Sequence, residues 1–187
     1  MMIVYRKREN LFESGEREWR AEDDALVCRK PDGKEPKLLW RDVALVRLRQ
    51  YPTAAKPWLH EFHIETPRTQ VTLDNCHFLG VGNFEDRSAT YTPFVRAALE
   101  RIRAEAPNVR VRIGATGGGY FGALAVAVLG LLALAGALFL IPLPAPLPLV
   151  IIVKLGVIAY AASMMPRWLR ANRPREATLE EAGATLP

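Results

Sequence analysis

Two long apolar runs dominate the second half of the chain. Residues 119–165 contain the runs 120–141 and 147–165, joined by a proline-rich connector, and Lys154 is the only charged side chain among them. At about 1.5 Å per residue the first run covers roughly 33 Å, enough for a hydrocarbon core of about 30 Å. The second run is only just long enough to span. The pattern predicts a transmembrane α-helical hairpin over residues 119–165.

Two other arrangements of these runs compete with full spans. A hairpin buried inside a soluble protein is disfavoured because neither run has a polar face. A hairpin that enters the bilayer from one side is helped by the prolines of the connector, which lack N–H donors. Both runs are too long for half a bilayer, however, and Lys154 would then lie deep in hydrocarbon. In two full spans the Lys154 stem reaches the outer interface, so two spans are the prediction.

Residues 1–90 show the alternation of apolar and polar positions that β-strands produce. Residues 25–30 alternate, and Pro31-Asp32-Gly33-Lys34 is a turn signal. Further extended segments follow at residues 37–40, 43–51, 58–66 and 70–74. Short strands joined by turns predict an antiparallel meander closed into a barrel or sandwich.

One amphipathic helix is predicted to close this domain. Thr92 suits the N-cap, and Pro93 suits the first helical position. An apolar stripe recurs at every fourth position, formed by Phe94, Ala98, Ile102 and Ala106. The fold class is therefore mainly β, with residues 1–108 forming a cytoplasmic domain capped by one C-terminal α-helix.

The segments on either side of the apolar runs are predicted as connections. Residues 109–118 form a juxtamembrane linker, in which the alternation of 109–113 fits either one more strand or an extended stalk. The glycines of 114–119 fit a flexible joint, because the Lys-Ser/Thr ending of a phosphate loop is missing. Residues 166–187 are predicted as a basic and then disordered cytoplasmic tail, since the tail has few large apolar residues.

The predicted β domain resembles bacterial pleckstrin-homology-like (PH-like) domains. The resemblance is carried by residues 18–27 (EWRAEDDALV), the Asp32-Gly33 turn and residues 39–46 (LWRDVALV), and it covers roughly residues 10–108. In that family a strand ending in Trp and an acidic residue leads into a hydrophobic strand, and many members are fused to a pair of membrane helices. The resemblance implies a PH-like antiparallel barrel or sandwich. In that family the membrane helices often precede the domain, whereas here they follow it.

Charge sets the predicted orientation. The chain carries 25 Lys+Arg and 20 Asp+Glu, and no basic block of the kind that binds nucleic acid. The connector has no charge, whereas basic residues flank the runs: Arg101, Arg103, Arg110 and Arg112 before them, and Arg167, Arg170, Arg173 and Arg175 after them. Both termini are therefore predicted to be cytoplasmic, with two spans in the inner membrane. Trp168 suits interfacial anchoring, and the two cysteines, Cys28 and Cys76, fit a reducing compartment.

Residues able to carry chemistry are few. His60 and His63 lie three apart and point to opposite faces of a strand, so they do not share a metal. Asp74, Cys76 and His77 are close in sequence, but a catalytic triad is defined by spatial geometry. The sequence therefore predicts no catalytic residues, no metal site and no cofactor.

The most favoured function is a membrane-anchored interaction or scaffolding module without catalytic activity. Its expected partners are membrane lipids and a membrane or cytoplasmic protein, with contacts through Arg47, Arg49, Lys56 and Arg68. Tethering raises the local concentration of a weak contact. Two alternatives stay open: a subunit of a transport or secretion complex whose hairpin packs against partner helices, and, less favoured, a membrane-bound enzyme.

Overall fold

The structure, a computed structural model, describes residues 3–50, 56–140 and 147–187; within these, the side chains of 139, 147–149 and 164–172 are not described. The proline-rich connector and the loop 51–55 therefore lie mostly or wholly outside the described residues. The chain forms two compact units. The first comprises Met1–Gly114 together with Arg175–Pro187, and the second is Ala115–Pro174.

The first unit begins with a four-stranded antiparallel sheet in the order β1-β2-β3-β4. Its strands are β1 (Val4–Lys7), β2 (Arg17–Ala21), β3 (Ala25–Arg29) and β4 (Lys37–Leu39). Gly33 has a φ of +81° in the turn between β3 and β4, which explains the glycine in the predicted turn signal. A short 3-10 turn, Trp40–Asp42, then leads to the second sheet.

The second sheet has five strands in the order β11-β10-β5-β6-β7. Its strands are β5 (Leu45–Gln50), β6 (His60–Glu65), β7 (Gln70–Asp74), β10 (Arg110–Ile113) and β11 (Arg175–Glu176). Neighbouring strands are antiparallel except β10 and β5, which are parallel. The segment 109–113 is therefore a strand and not an extended stalk, and the first unit extends past the predicted boundary at 108.

The register gives the second sheet two distinct ends. At the exit end, the Gly114 N–H donates to the Leu48 carbonyl at 2.8 Å, and Arg175 pairs with Ile113. At the opposite, turn end, the Thr66 N–H donates to the Thr69 carbonyl at 2.8 Å and closes the β6–β7 turn. The chain thus leaves the first unit and re-enters it at the same end of this sheet.

A hairpin and a helix complete the unit. The hairpin is β8 (Cys76–Gly80) and β9 (Asn83–Asp86). Helix α1 (Ser88–Glu105) begins five residues before Pro93, the predicted first helical residue. Asp86 explains the early start, because its Oδ1 accepts the Ser88 N–H at 2.9 Å. Thr92, the predicted N-cap, instead donates its hydroxyl to the Pro187 carbonyl at 3.2 Å.

Both sheets and α1 share one hydrophobic core. Its largest fully buried side chains include Trp40, Tyr5, Tyr91, Phe62 and Phe94. The predicted apolar stripe is confirmed by four core residues, each four positions from the next: Phe94, Ala98 and Ile102 of α1, and its C-cap Ala106. Strands β4 and β7 remain at the edges of their sheets, so the described strands form no closed barrel.

The C-terminal tail corrects the prediction of disorder. Residues 175–176 pair with β10, and α4 (Leu179–Ala184) follows. A capping box starts this helix: Thr178 accepts from the Glu181 N–H, and Glu181 accepts from the Thr178 N–H. Ala182 is completely buried in the core. Helix α4 lies close against α1, because a Cβ atom added to Gly183 would lie 3.9 Å from Leu99 Cδ1. This close approach explains why a small residue, Ala182, fills the contact.

The second unit consists of helices α2 (Gly117–Leu140) and α3 (Leu147–Asn172), which contact each other. Among the described residues, one helix segment, Gly117–Leu138, is long and apolar enough to cross a membrane. In α3 the apolar stretch Val150–Ser163 is shorter.

Candidate interaction surfaces

A polar row crosses the second sheet on the face opposite the core. The register places Glu176 beside Arg112, Arg112 beside Arg47, Arg47 beside His63, and His63 beside Thr72. We call these five residues the basic row. Side chains alternate between the two faces of a strand, so Val46, Leu48 and Ile64 point to the other face and are buried. Two side chains predicted as separate features, Arg47 for a contact and Arg112 for topology, thus become direct neighbours.

Arg47 is the least satisfied member of the basic row. Its Nε is buried and has no hydrogen-bond partner among the described residues. Burial lowers the pKa of Arg47, and the adjacent Arg112 lowers that pKa further. Burial also lowers the pKa of His63, whose Nδ1 lies 2.8 Å from Thr72 Oγ1. The row holds neighbouring cations in partly desolvated positions. Glu176 lies beside Arg112, and Glu65 raises the pKa of Arg47, so both carboxylates offset part of this charge. A further anion would stabilise the arginines.

The other predicted contact residues lie apart from this row. Arg49 Nε is 2.5 Å from Glu61 Oε2, so Arg49 forms an ion pair. Lys56 Nζ lies 3.6 Å from the centre of the Phe84 ring. Arg68 belongs to the β6–β7 turn, at the other end of the sheet. The structure therefore does not gather the four predicted contact residues into one site.

The predicted topology residues precede, lie within or follow the second unit in the sequence. Arg110 is exposed at the start of β10, and Arg173 and Arg175 are exposed where the chain returns. Lys154 is partly exposed on α3. The side chains of Arg167, Trp168 and Arg170 are outside the described residues.

A cleft runs between one edge of each sheet, β4 and β7. One part, of about 900 Å³, is lined by β4, the Trp40–Asp42 turn and the Thr66–Thr69 turn. A second part, of about 530 Å³, is lined by residues of β2, β3, β4 and β7. Both parts share Lys37, Leu38 and Thr69, so we treat them as one edge cleft. Sequence reasoning predicted the strands but not this cleft, because no local signal reports which edges stay uncovered.

Two buried donors in the wall of the edge cleft are unsatisfied. Trp19 is 5% exposed, and its indole Nε1 has no hydrogen-bond partner among the described residues. The Arg17 Nε is likewise buried without a partner there, although its terminal nitrogens pair with Glu9 and Glu13. Buried donors are rarely left unpaired, so a ligand that brings acceptors would find them here.

The candidates for catalysis have separate structural partners. The His77 Nδ1 accepts the Arg8 N–H at 3.0 Å, while His63 contacts Thr72. Asp74 Oδ1 accepts the Cys76 N–H at 2.9 Å, and Asp74 Oδ2 pairs with buried Lys7 at 2.9 Å. Burial raises the pKa of Cys76, which disfavours its thiolate. Among the described residues no group of three or more His, Cys, Asp or Glu side chains is placed to hold a metal ion.

His60 lies beside a buried polar residue that sequence reasoning missed. Asn75 is fully buried, and its Oδ1 accepts the His60 N–H at 2.9 Å. The Asn75 amide nitrogen lies within 3.0 Å of the Trp58 carbonyl, Asp86 and Ser88. The hydrogen bonds of Asn75 therefore connect β6 with the β8–β9 hairpin and with the start of α1, so its role is structural.

Comparisons with protein-family models, with curated proteins and with solved structures find no match for this chain.

Proposed function

We propose that this protein is a membrane-anchored interaction module without catalytic activity. Two spans tether a PH-like β unit to the cytoplasmic face of the inner membrane, and both termini are cytoplasmic. The observation that carries the proposal is the pairing of β10 with β11, which places Ile113 opposite Arg175. These strands flank the whole second unit.

Pairing of the flanking strands limits how the second unit can cross a bilayer. The ladder pairing of Ile113 with Arg175 supports a chain that returns to the side from which it leaves, and hence an even number of crossings. Gly117–Leu138 is long and apolar enough for one crossing. Helix α3, with 26 residues and a length of about 39 Å, supplies the second. Its apolar stretch is short, and the Lys154 ammonium reaches the outer interface along its flexible stem.

The basic row supports membrane lipids as one partner. Arg112 precedes Gly117, the first residue of α2, by only five positions. Five extended residues cover at most about 18 Å, so Arg112 and its neighbour Arg47 stay near the bilayer surface if α2 spans. Anionic headgroups attract juxtamembrane arginines by about 1 kcal/mol each. The same surface charge favours the cytoplasmic leaflet as the side on which the β unit lies.

A non-catalytic role is supported by the hydrogen bonds of the candidate catalytic residues. His77, Asp74 and Asn75 connect strands and loops of the first unit. A general base or nucleophile would need to face substrate with a tuned pKa. The PH-like resemblance adds a fold that presents edges and loops to partners, and function on such a fold depends on the individual site.

Cysteine labelling in intact cells tests the two-span arrangement. Three variants each add one cysteine to the chain, at Asn10, Ala145 or Thr185, and each is treated with a membrane-impermeant maleimide. We expect only Ala145→Cys to react from outside, and Asn10→Cys and Thr185→Cys to react after the inner membrane is permeabilised. The unaltered chain is the control, because Cys28 and Cys76 are buried and burial raises the pKa of Cys28 to about 11.

The labelling pattern separates the competing arrangements. Reaction of Thr185→Cys from outside with Asn10→Cys protected would show a single span. Protection of all three positions would show a hairpin that does not cross. Either result would overturn the proposal.

A further inference from the structure

We propose that the edge cleft between β4 and β7 binds an extended, acidic segment of a protein partner, which adds to the sheet along β7. This inference names the partner class of the interaction module proposed above. It is carried by three observations: outward-directed backbone groups on both cleft walls, buried donors without a hydrogen-bond partner among the described residues, and an excess of cations.

The backbone of β7 presents donors and acceptors to the cleft. In an antiparallel ladder, alternate residues bond to the partner strand and the residues between them point away. The Thr66 N–H bonds to the Thr69 carbonyl, and the Asn75 N–H bonds to the His60 carbonyl. With the register of β6 and β7, this alternation directs the N–H and C=O groups of Gln70 and Thr72 away from β6. Both residues line the edge cleft.

The same reasoning applies to β4 on the opposite wall. The Cys28 N–H bonds to the Pro36 carbonyl, and the Trp40 N–H bonds to the Asp24 carbonyl. The alternation between these two bonds directs the backbone groups of Lys37 and Leu39 away from β3. Two strand edges with outward-directed backbone groups thus line the cleft. An extended peptide satisfies such an edge by strand addition.

The side chains of the cleft favour an acidic segment. Its lining contains five cations, Arg17, Lys30, Lys37, Arg41 and Arg68, against two carboxylates, Glu9 and Asp42. Arg17 pairs with Glu9 and Glu13, Lys37 with Glu22, and Arg41 with Asp42. Lys30 and Arg68 form no such pair among the described residues, so these two carry the charge preference. Apolar surface from Trp19, Leu26, Leu38 and Val71 lies among them. A strand with alternating apolar and acidic side chains matches this arrangement, because successive residues point to opposite sides. Its carbonyl oxygens supply the acceptors that Trp19 Nε1 and Arg17 Nε lack.

Part of the cleft lies away from the end at which the chain leaves the second sheet. The Thr66–Thr69 turn, which lines the cleft, lies at the turn end of the second sheet. Gly114 and Arg175, where the chain leaves for the second unit, lie at the exit end. The covalent links to the spans therefore leave the sheet at the end away from this part of the cleft.

Peptide selection on the full-length protein tests this proposal. The protein, in nanodiscs of zwitterionic lipid, is panned with a random twelve-residue peptide library after depletion on empty nanodiscs. We expect the enriched peptides to be acidic, with alternating apolar residues. Their affinity should fall at least tenfold in Gln70→Pro, which removes an N–H that points away from β6 without removing a β6–β7 bond. Arg68→Glu should weaken binding similarly by charge reversal.

Arg96→Glu is the matched control, because Arg96 is an exposed arginine of α1 outside the edge cleft. It should leave peptide affinity within twofold. If Gln70→Pro lowers the melting temperature, Arg68→Glu decides the outcome. Enriched peptides that are basic, or that bind Arg68→Glu unchanged, would refute the cleft as their site. Failure to enrich any peptide would refute peptide binding altogether. Both failures leave the cysteine-labelling test of the spans unaffected.

Discussion

Burial separates two kinds of charged residue in this protein. Lys7 is 2% exposed, yet its ammonium lies 2.9 Å from Asp74 and 3.8 Å from Glu9, so its charge is compensated within the fold. Arg47 is partly buried beside a second arginine, Arg112. A buried ion pair fixes structure, whereas two adjacent cations leave an attraction for an external anion.

We therefore expect Arg47→Gln to separate lipid response from stability. Anionic lipid in nanodiscs should raise the melting temperature of the unaltered protein, because an anion bound only by the folded state stabilises it. Arg47→Gln should lose about 1 kcal/mol of that effect. In zwitterionic lipid it should be at least as stable as the unaltered protein, since repulsion by Arg112 is relieved. Arg96→Gln is the control, and an undiminished lipid effect in Arg47→Gln would contradict the assignment.

His77 is expected to make stability depend on pH. Burial lowers the pKa of His77 below its usual 6.5, and Arg87 lowers it further. The unfolded chain therefore binds the proton first, so the free energy of unfolding should fall as pH drops below about 6.5. The loss is at most about 1.4 kcal/mol per pH unit per proton. Urea unfolding between pH 5 and pH 8 measures it.

Two substitutions separate the titration of His77 from its hydrogen bond. His77→Asn keeps an acceptor for the Arg8 N–H and removes the titration, so it should flatten the pH dependence. His77→Ala should cost about 1–2 kcal/mol already at pH 7.5, because the Arg8 N–H loses its acceptor. An equally steep pH dependence in His77→Asn would show that other groups, such as His60 and His63, cause it.

At the scale of elements, strands with clear alternation were predictable and elements defined by long-range pairing were not. The predicted segments 25–30 and 70–74 correspond closely to β3 and β7. Residues 175–176 give no local signal, and become a strand only because Ile113 and Arg112 offer an edge. Helix α4 is short and has one buried residue, Ala182, so its pattern is indistinguishable from disorder. Its capping box, Thr178 with Glu181, was the one signal available.

Docking of α4 should depend on Ala182. Ala182→Glu places a carboxylate in the core next to α1, so α4 should detach, with a loss of about 1–3 kcal/mol in the free energy of unfolding. Hydrogen exchange of residues 175–187 should then approach that of an unfolded peptide. Ala184→Glu makes the same change at an exposed position of α4 and should cost less than about 0.5 kcal/mol. Equal protection in both variants would show that α4 does not rely on this contact.

At the scale of the whole molecule, the second unit is an insertion between two paired strands. The sequence predicted the order of a β domain, apolar runs and tail, because composition changes sharply at their borders. It could not predict that the tail rejoins the domain, since Thr92 and Pro187 are distant in sequence and their hydrogen bond is visible only in the fold. The same holds for the candidate surfaces. Each arginine of the basic row could be identified from the sequence, but that Arg47 and Arg112 are neighbours follows only from the pairing of β5 with β10.

Removal of the insertion should therefore leave a soluble, folded unit. The Ala177 N–H bonds to the Val111 carbonyl, so alternation makes Ile113 and Arg175 a hydrogen-bonded pair, the pair that flanks a two-residue hairpin turn. Replacing residues 114–174 with Asn-Gly should give a monomer that unfolds cooperatively, as measured by gel filtration and by tryptophan fluorescence in urea.

Truncation after Asn108 is the comparison. It removes β10, β11 and α4, which uncovers the edge of β5 and part of α1, so it should aggregate or lose several kcal/mol of stability. Equal stability of the two proteins would show that the C-terminal segment adds nothing to the fold. Aggregation of the fusion would show that the first unit needs the second.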